Sequence, residues 1–194
     1  MTILGLTGSS GSGKSTVSSI FAEFGAYILD ADEIYANLLL NCDKMKLEIS
    51  NSFDVLTDNQ IDREKLGSIV FTNKDKLETL NKITHKYVSD FILNEIENVH
   101  LENIDVLILD VPLLFESNLD RYCDKILGVV SDDDVKLDRI CKRDEISKEH
   151  AINRLKSQKD NCFFSKNCDI IIENNFDFAM LKLICKRIYK TIGE

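Results

Sequence analysis

The chain has 194 residues, enough for one α/β domain, and its 44% hydrophobic and 29% charged content is that of a soluble globular protein. A formal charge of -9 excludes the broad basic stripe of a nucleic-acid-binding surface, so a bound anion has to be met by a local pocket of positive charge. No apolar run approaches the roughly 18 residues of a membrane span, and the N-terminus lacks the basic region of a signal peptide. The expectation is a cytoplasmic monomer without membrane or nucleic-acid partners.

Ile3-Leu4-Gly5-Leu6 reads as a short buried strand. Gly8-Ser9-Ser10-Gly11-Ser12-Gly13-Lys14-Ser15 then completes the G-x4-G-K-[ST] phosphate-binding loop. After it, Val17, Ile20, Phe21 and Phe24 follow the spacing of a buried helix face, and Gly25 suits the helix end. A loop between a strand and a helix is the context in which this pattern works. Its glycines let backbone N–H groups turn inward, and the helix N-terminus adds positive potential. Gly11, Ser12, Gly13, Lys14, Ser15 and Thr16 are therefore expected to bind a nucleoside triphosphate, with Lys14 on the outer phosphates and Ser15 on Mg2+.

Ala26-Tyr27-Ile28-Leu29 is a second strand, ending in Asp30-Ala31-Asp32, where a helix carrying Ile34, Tyr35, Leu38 and Leu39 begins. From about 43 to 103 the pattern is helical. Asp62 can cap Arg63 to Phe71, and Asn73 a long helix with Leu77, Leu80, Thr84, Tyr87, Phe91, Glu95 and Val99 on one stripe. Apolar runs at 105–110, 124–130 and 169–173 read as strands buried on both faces, the last two followed by helices at Val135–Lys142 and Phe176–Tyr189. Strands alternating with helices predict a P-loop NTPase: an α/β fold with a five-stranded parallel sheet flanked by helices. One domain is expected, with a core at about 1–34, 104–138 and 163–194, an inserted helical segment at 35–103, and a helical lid at 139–162.

Three sets of residues could turn phosphate binding into a reaction. Asp30 and Asp32 end a strand; either can orient an attacking hydroxyl or take its proton, and either can instead cap the next helix. Asp110 closes an apolar strand in the Walker-B pattern and can hold Mg2+. Arg139, Lys142, Arg143, Arg154, Lys156 and Lys159 concentrate positive charge in an acidic chain, as a lid over a transferring phosphoryl group would need. The alternative for that segment is a solvated helix with Ile140, Ile152 and Leu155 beneath it. Six cysteines without C-x-x-C spacing, and three scattered histidines, point to reduced thiols and no metal cluster.

Gly8 to Thr16, Asp30-Ala31-Asp32, Asp110-Val111-Pro112-Leu113-Leu114-Phe115-Glu116 and Arg143-Asp144 together resemble the dephospho-coenzyme A kinase family. The likeness continues through Glu149-His150-Ala151, Arg154 to Gln158, and Cys168-Asp169-Ile170-Ile171-Ile172-Glu173-Asn174. It implies transfer of the γ-phosphate of ATP to the 3′-hydroxyl of dephospho-CoA, the last step of coenzyme A synthesis. It also implies Asp32 as the base for that hydroxyl, Lys14 bridging phosphates, and Arg143 on the transferring group. His85, Pro112 and Leu113, with Asp32, would form the acceptor site. The chain departs from the family pattern at Ser9-Ser10, where Gly-Ile is common, at Thr84-His85-Lys86, which lacks a flanking leucine and proline, and at Cys168, where alanine is customary.

A different small-molecule or nucleotide kinase would share this phosphate chemistry. A GTPase switch would want N-K-x-D, and the nearest string, Asn73-Lys74-Asp75-Lys76, ends in lysine.

Overall fold

The computed structural model describes residues 1–99 and 104–193. The elements in chain order are β1 (Thr2–Gly8), α1 (Lys14–Glu23), β2 (Tyr27–Asp30), α2 (Ala31–Asn41), α3 (Asp43–Phe53), β3 (Leu56–Thr57), β4 (Gln60–Ile61), α4 (Arg63–Val70) and α5 (Lys74–Val99). They continue with β5 (Val106–Asp110), a 3-10 turn at Leu119–Tyr122, β6 (Lys125–Val130), α6 (Asp133–Asp144), α7 (Lys148–Lys156), α8 (Asn161–Asn167), β7 (Ile170–Glu173) and α9 (Phe178–Ile192). Residues divide into two compact units, Met1–Leu29 with Glu102–Glu194, and Asp30–Leu101. The end of the expected helical segment, 100–103, lies outside the described residues.

The larger unit is built on a five-stranded sheet in the order β2-β5-β1-β6-β7, as expected from the alternation of strands and helices. β1 pairs in parallel with β5 on one side and β6 on the other, and β6 pairs in parallel with β7. The five residues of β5 are all buried, which is why that strand reads as a continuous apolar run. Below β1, Leu4, Leu6, Val17, Ile20 and Phe21 join Ile108, Leu127, Val129 and Leu181 in one core. Each such side chain contributes about 1.5–3 kcal/mol when fully buried. Tyr189 of α9 stacks against Phe21 and Phe24 with ring centroids 6.2 and 5.8 Å apart, closing the helix pair over the sheet.

The strand order reverses direction at β1: the chain first moves out to β2 and returns through β5, then continues to β6 and β7 on the opposite side. Parallel pairing brings the carboxyl ends of β1, β5, β6 and β7 to one edge. In open α/β sheets that edge, at the point of reversal, is where ligands bind.

The smaller unit has its own core of Leu39, Met45, Ile49, Phe53, Val55, Ile61, Leu66, Val70, Leu80 and Ile83. Asp62 and Asn73 cap their helices as expected, accepting from the N–H groups of Lys65 at 2.9 Å and Lys76 at 3.1 Å. Two features differ from the sequence reading. A small hairpin, β3–β4, interrupts the helical segment, turning at Asp58 and Asn59 with φ of 48° and 61°. Asn and Asp tolerate that left-handed backbone, which the primed hairpin turns require. The buried stripe of α5 also runs through Ile83, Val88, Ile92 and Ile96, leaving Phe91 exposed. Helical spacing alone admits both stripes, and packing selected the one with the aliphatic side chains.

All six cysteines are free thiols, as their spacing implied. Among the described residues no helix is long and apolar enough to cross a membrane.

Candidate active site

The phosphate-binding loop leaves the end of β1 and enters α1 at Lys14. Gly13 caps α1 with φ 91° and supplies no side-chain acceptor, so the first-turn N–H groups remain available to an anion. Ser15, in that first turn, is exposed. Lys14 forms an ion pair with Asp110, which is 1% exposed and lies across from Leu6 at the end of the adjoining strand. Ser15 and Asp110 both offer hard oxygen donors, the kind Mg2+ takes in ones and twos while keeping phosphate and water oxygens for the rest of its shell. Those two residues therefore fit the metal the sequence implied.

The back of the loop is fastened to the rest of the sheet edge. Arg139 of α6 donates from one guanidinium nitrogen to the carbonyls of Gly11 at 3.2 Å and Ser12 at 3.3 Å, and to Ser131 Oγ at 3.1 Å. Its other terminal nitrogen donates to the Asn174 carbonyl at 3.1 Å. Asn174 Nδ2 donates to the Ser12 carbonyl at 2.8 Å, and Ser131 Oγ donates to the Asn174 carbonyl at 2.8 Å. Gln158 joins Ser10 through two bonds, accepting from its N–H at 2.9 Å and donating to its hydroxyl at 3.0 Å. Ser9 Oγ and Ser12 Oγ are buried without a hydrogen-bond partner among the described residues. Leaving a polar group so costs about 1–3 kcal/mol, which marks the loop as a place where stability is not optimised.

The two aspartates at the junction of β2 and α2 have separate tasks. Asp30 accepts from the N–H groups of Asp32 at 2.8 Å and Glu33 at 3.2 Å, making it the N-cap of α2. Asp32 stands in the first turn of α2 and is exposed. His85 lies partly buried within α5. Pro112 and Leu113 begin the turn after β5, with Pro112 half-buried and Leu113 44% exposed; the Pro112 carbonyl accepts from Thr7 Oγ1 at 3.2 Å.

Arg143, at the end of α6, lies on Asp144 through two bonds, Nε to Oδ1 at 2.7 Å and a terminal nitrogen to Oδ2 at 2.9 Å. Arg154 of α7 also donates to that carboxylate. Asp144 thus gathers two of the cations singled out from the sequence. The Arg143 hydrogen bonds, with those of Arg154, hold its carboxyl at about 2, below the ordinary 3.8. Because the folded value is depressed, the stabilisation is complete above about pH 4 and is lost as pH falls toward 2. Asp144→Asn should therefore flatten the pH dependence of the urea midpoint between those values, measured by equilibrium unfolding.

Sequence reasoning grouped Arg139 with the lid cations, whereas in the structure it braces the loop. It also assigned nothing to Ser131 or Asn174. The available signal was positional: each directly follows a strand, β6 or β7, that ends at the loop's edge of the sheet.

A sequence model described as dephospho-CoA kinase matches residues 2–179. The chain is 45% identical over 193 residues to the dephospho-CoA kinase of Fusobacterium nucleatum, covering 98% of both chains. It is 40% identical to the dephospho-CoA kinase of Oceanobacillus iheyensis, covering 93% of this chain and 92% of that one. The solved dephospho-CoA kinase from Campylobacter jejuni superposes with a TM-score of 0.73 at 32% identity, over 98% of this chain and 96% of that one. A match of this extent, on a chain with the phosphate loop and its strand-end aspartate in place, makes this protein a member of the dephospho-CoA kinase family.

Proposed function

We propose that the chain transfers the γ-phosphate of ATP to the 3′-hydroxyl of dephospho-CoA, yielding CoA and ADP. The observation that carries this reading is the near end-to-end similarity to dephospho-CoA kinases. The loop geometry supports the phosphate half of the reaction independently. Gly11 to Thr16 cradle the triphosphate on the open N-terminus of α1, and Lys14 moves from Asp110 to bridge phosphate oxygens. Mg2+, when bound through Ser15 and Asp110, neutralises charge on the phosphates.

As the likeness to dephospho-CoA kinases implies, Asp32 accepts the proton of the ribose hydroxyl as its oxygen attacks phosphorus. The phosphorus–oxygen bond to the ADP leaving group breaks in the same displacement. Arg143, held by Asp144, supplies a guanidinium that swings onto the transferring group when the segment beyond Arg139 closes as a lid. By the same likeness, Pro112 and Leu113 are read as acceptor-site residues. The reaction takes place in the cytoplasm with the protein as a monomer. Coupled ADP release tests the assignment: turnover should rise with dephospho-CoA and stay at background with nucleoside monophosphates or shikimate. The reverse pattern would make the chain a different kinase on the same fold.

A further inference from the structure

We infer that Asn174 is a positioning residue that sets the phosphate-binding face of the loop. The inference rests on the reading of residues 8–16 as a triphosphate site, and not on the identity of the acceptor.

A peptide unit is planar and trans, so the Ser12 carbonyl and the Gly13 N–H point in opposite directions. The Ser12 carbonyl accepts from Asn174 Nδ2 at 2.8 Å, and more distantly from Arg139 and Ser131 Oγ, each at 3.3 Å. Those donors on one side turn the Gly13 N–H to the other, the direction a bound phosphate would need. Asn174 can impose this because its own backbone is fastened on both sides. It is 4% exposed, its N–H donates to the Val130 carbonyl at 2.7 Å, and its carbonyl accepts from Ser131 and Arg139. The carboxamide is also oriented by its partner, since the flipped form would set two oxygens against each other.

The same contact explains Gly13. A Cβ built there would lie 2.1 Å from Asn174 Nδ2, on a backbone already at φ 91°. The glycine of the motif is therefore fitted to this asparagine as well as to the left-handed turn. Arg139 shares the Ser12 carbonyl but holds other partners too, whereas the side-chain amide of Asn174 is directed at this one acceptor.

The test is binding of ATP and of inorganic tripolyphosphate, by calorimetry, to the full chain carrying Asn174→Ala or Asn174→Asp. Tripolyphosphate carries the phosphates without the base, so its affinity reports the loop alone. Measurements are made about 15 °C below each variant's own unfolding midpoint, where the folded fraction is essentially complete. Losing the alignment of one charge-assisted backbone hydrogen bond predicts a weakening of about 10- to 100-fold for both ligands. Should Asn174→Asp fail to fold, Asn174→Ala, which buries no charge, reads the same quantity. Wild-type tripolyphosphate affinity in the folded alanine variant would overturn the proposal. So would a loss seen for ATP but not for tripolyphosphate, because Asn174 would then act on the nucleoside. Failure of dephospho-CoA as acceptor would leave either result unchanged.

Discussion

Replacing Lys14 with alanine should lower kcat/KM by about 10²-fold or more, equivalent to about 2.7 kcal/mol of transition-state stabilisation. It should also destabilise the fold, for a separate reason. Asp110 is 1% exposed and has Lys14 as its ion-pair partner. Removing one member of a buried pair strands the other's charge, at about 3–5 kcal/mol. The two effects separate in a second variant. Asp110→Asn beside Lys14→Ala should recover most of the urea midpoint, because no buried carboxylate remains unpaired, while turnover stays low. If the single variant keeps both its stability and its kcat/KM, Lys14 neither balances Asp110 nor engages phosphate.

Asp32→Ala should be the second large loss, on the order of 10²-fold in kcat, with ATP affinity retained. The reason lies in how α2 starts. Asp30 accepts two first-turn N–H groups, and its removal costs a cap, worth about 1 kcal/mol of stability. Asp32 lies two residues further in and is exposed. Asp30→Ala should therefore shift the unfolding midpoint more than kcat, and Asp32→Ala the reverse. Steady-state kinetics and urea titrations on the two variants make the comparison. Near-normal turnover by folded Asp32→Ala would pass the base role to Asp30 or Asp110.

The cysteines illustrate how position, rather than composition, sets a residue's chemistry. Burial pushes the Cys123 thiol up to about 12 and the Cys168 and Cys185 thiols up to about 11. These are packing groups. Cys168 lies against Gly128: a Cβ on that glycine would be 2.9 Å from its sulfur.

Much of the architecture was legible because it depends on local pattern. The apolar runs that became β1, β5 and β6 report burial on both faces, and a strand buried that way has few other readings; β7 carries the same run but lies at the sheet edge with only Ile172 buried. The capping residues Asp62 and Asn73 were legible for a similar reason, since their short acceptors satisfy nearby N–H groups. The β3–β4 hairpin was not, because two residues per strand are too few to establish a period. The stripe of α5 was legible only in part, at Leu80, Thr84 and Val99, for want of a partner surface. A long helix with apolar residues on adjoining faces is decided by what packs on it.

For the site, the sequence alone determined the loop, its lysine and hydroxyl, and the acids at the strand ends. These are chemical requirements for holding and transferring a phosphoryl group, and they recur at fixed spacing. Only the tertiary structure decided which of Asp30 and Asp32 caps the helix, since that turns on backbone geometry. It also decided that Arg139 braces the loop while Arg143 and Arg154 share Asp144. Above all, it brought Asn174 to Ser12 from 162 residues away in the chain. Parallel strands carry their carboxyl ends to one edge however far apart they lie in sequence, and no local pattern records which residues meet there.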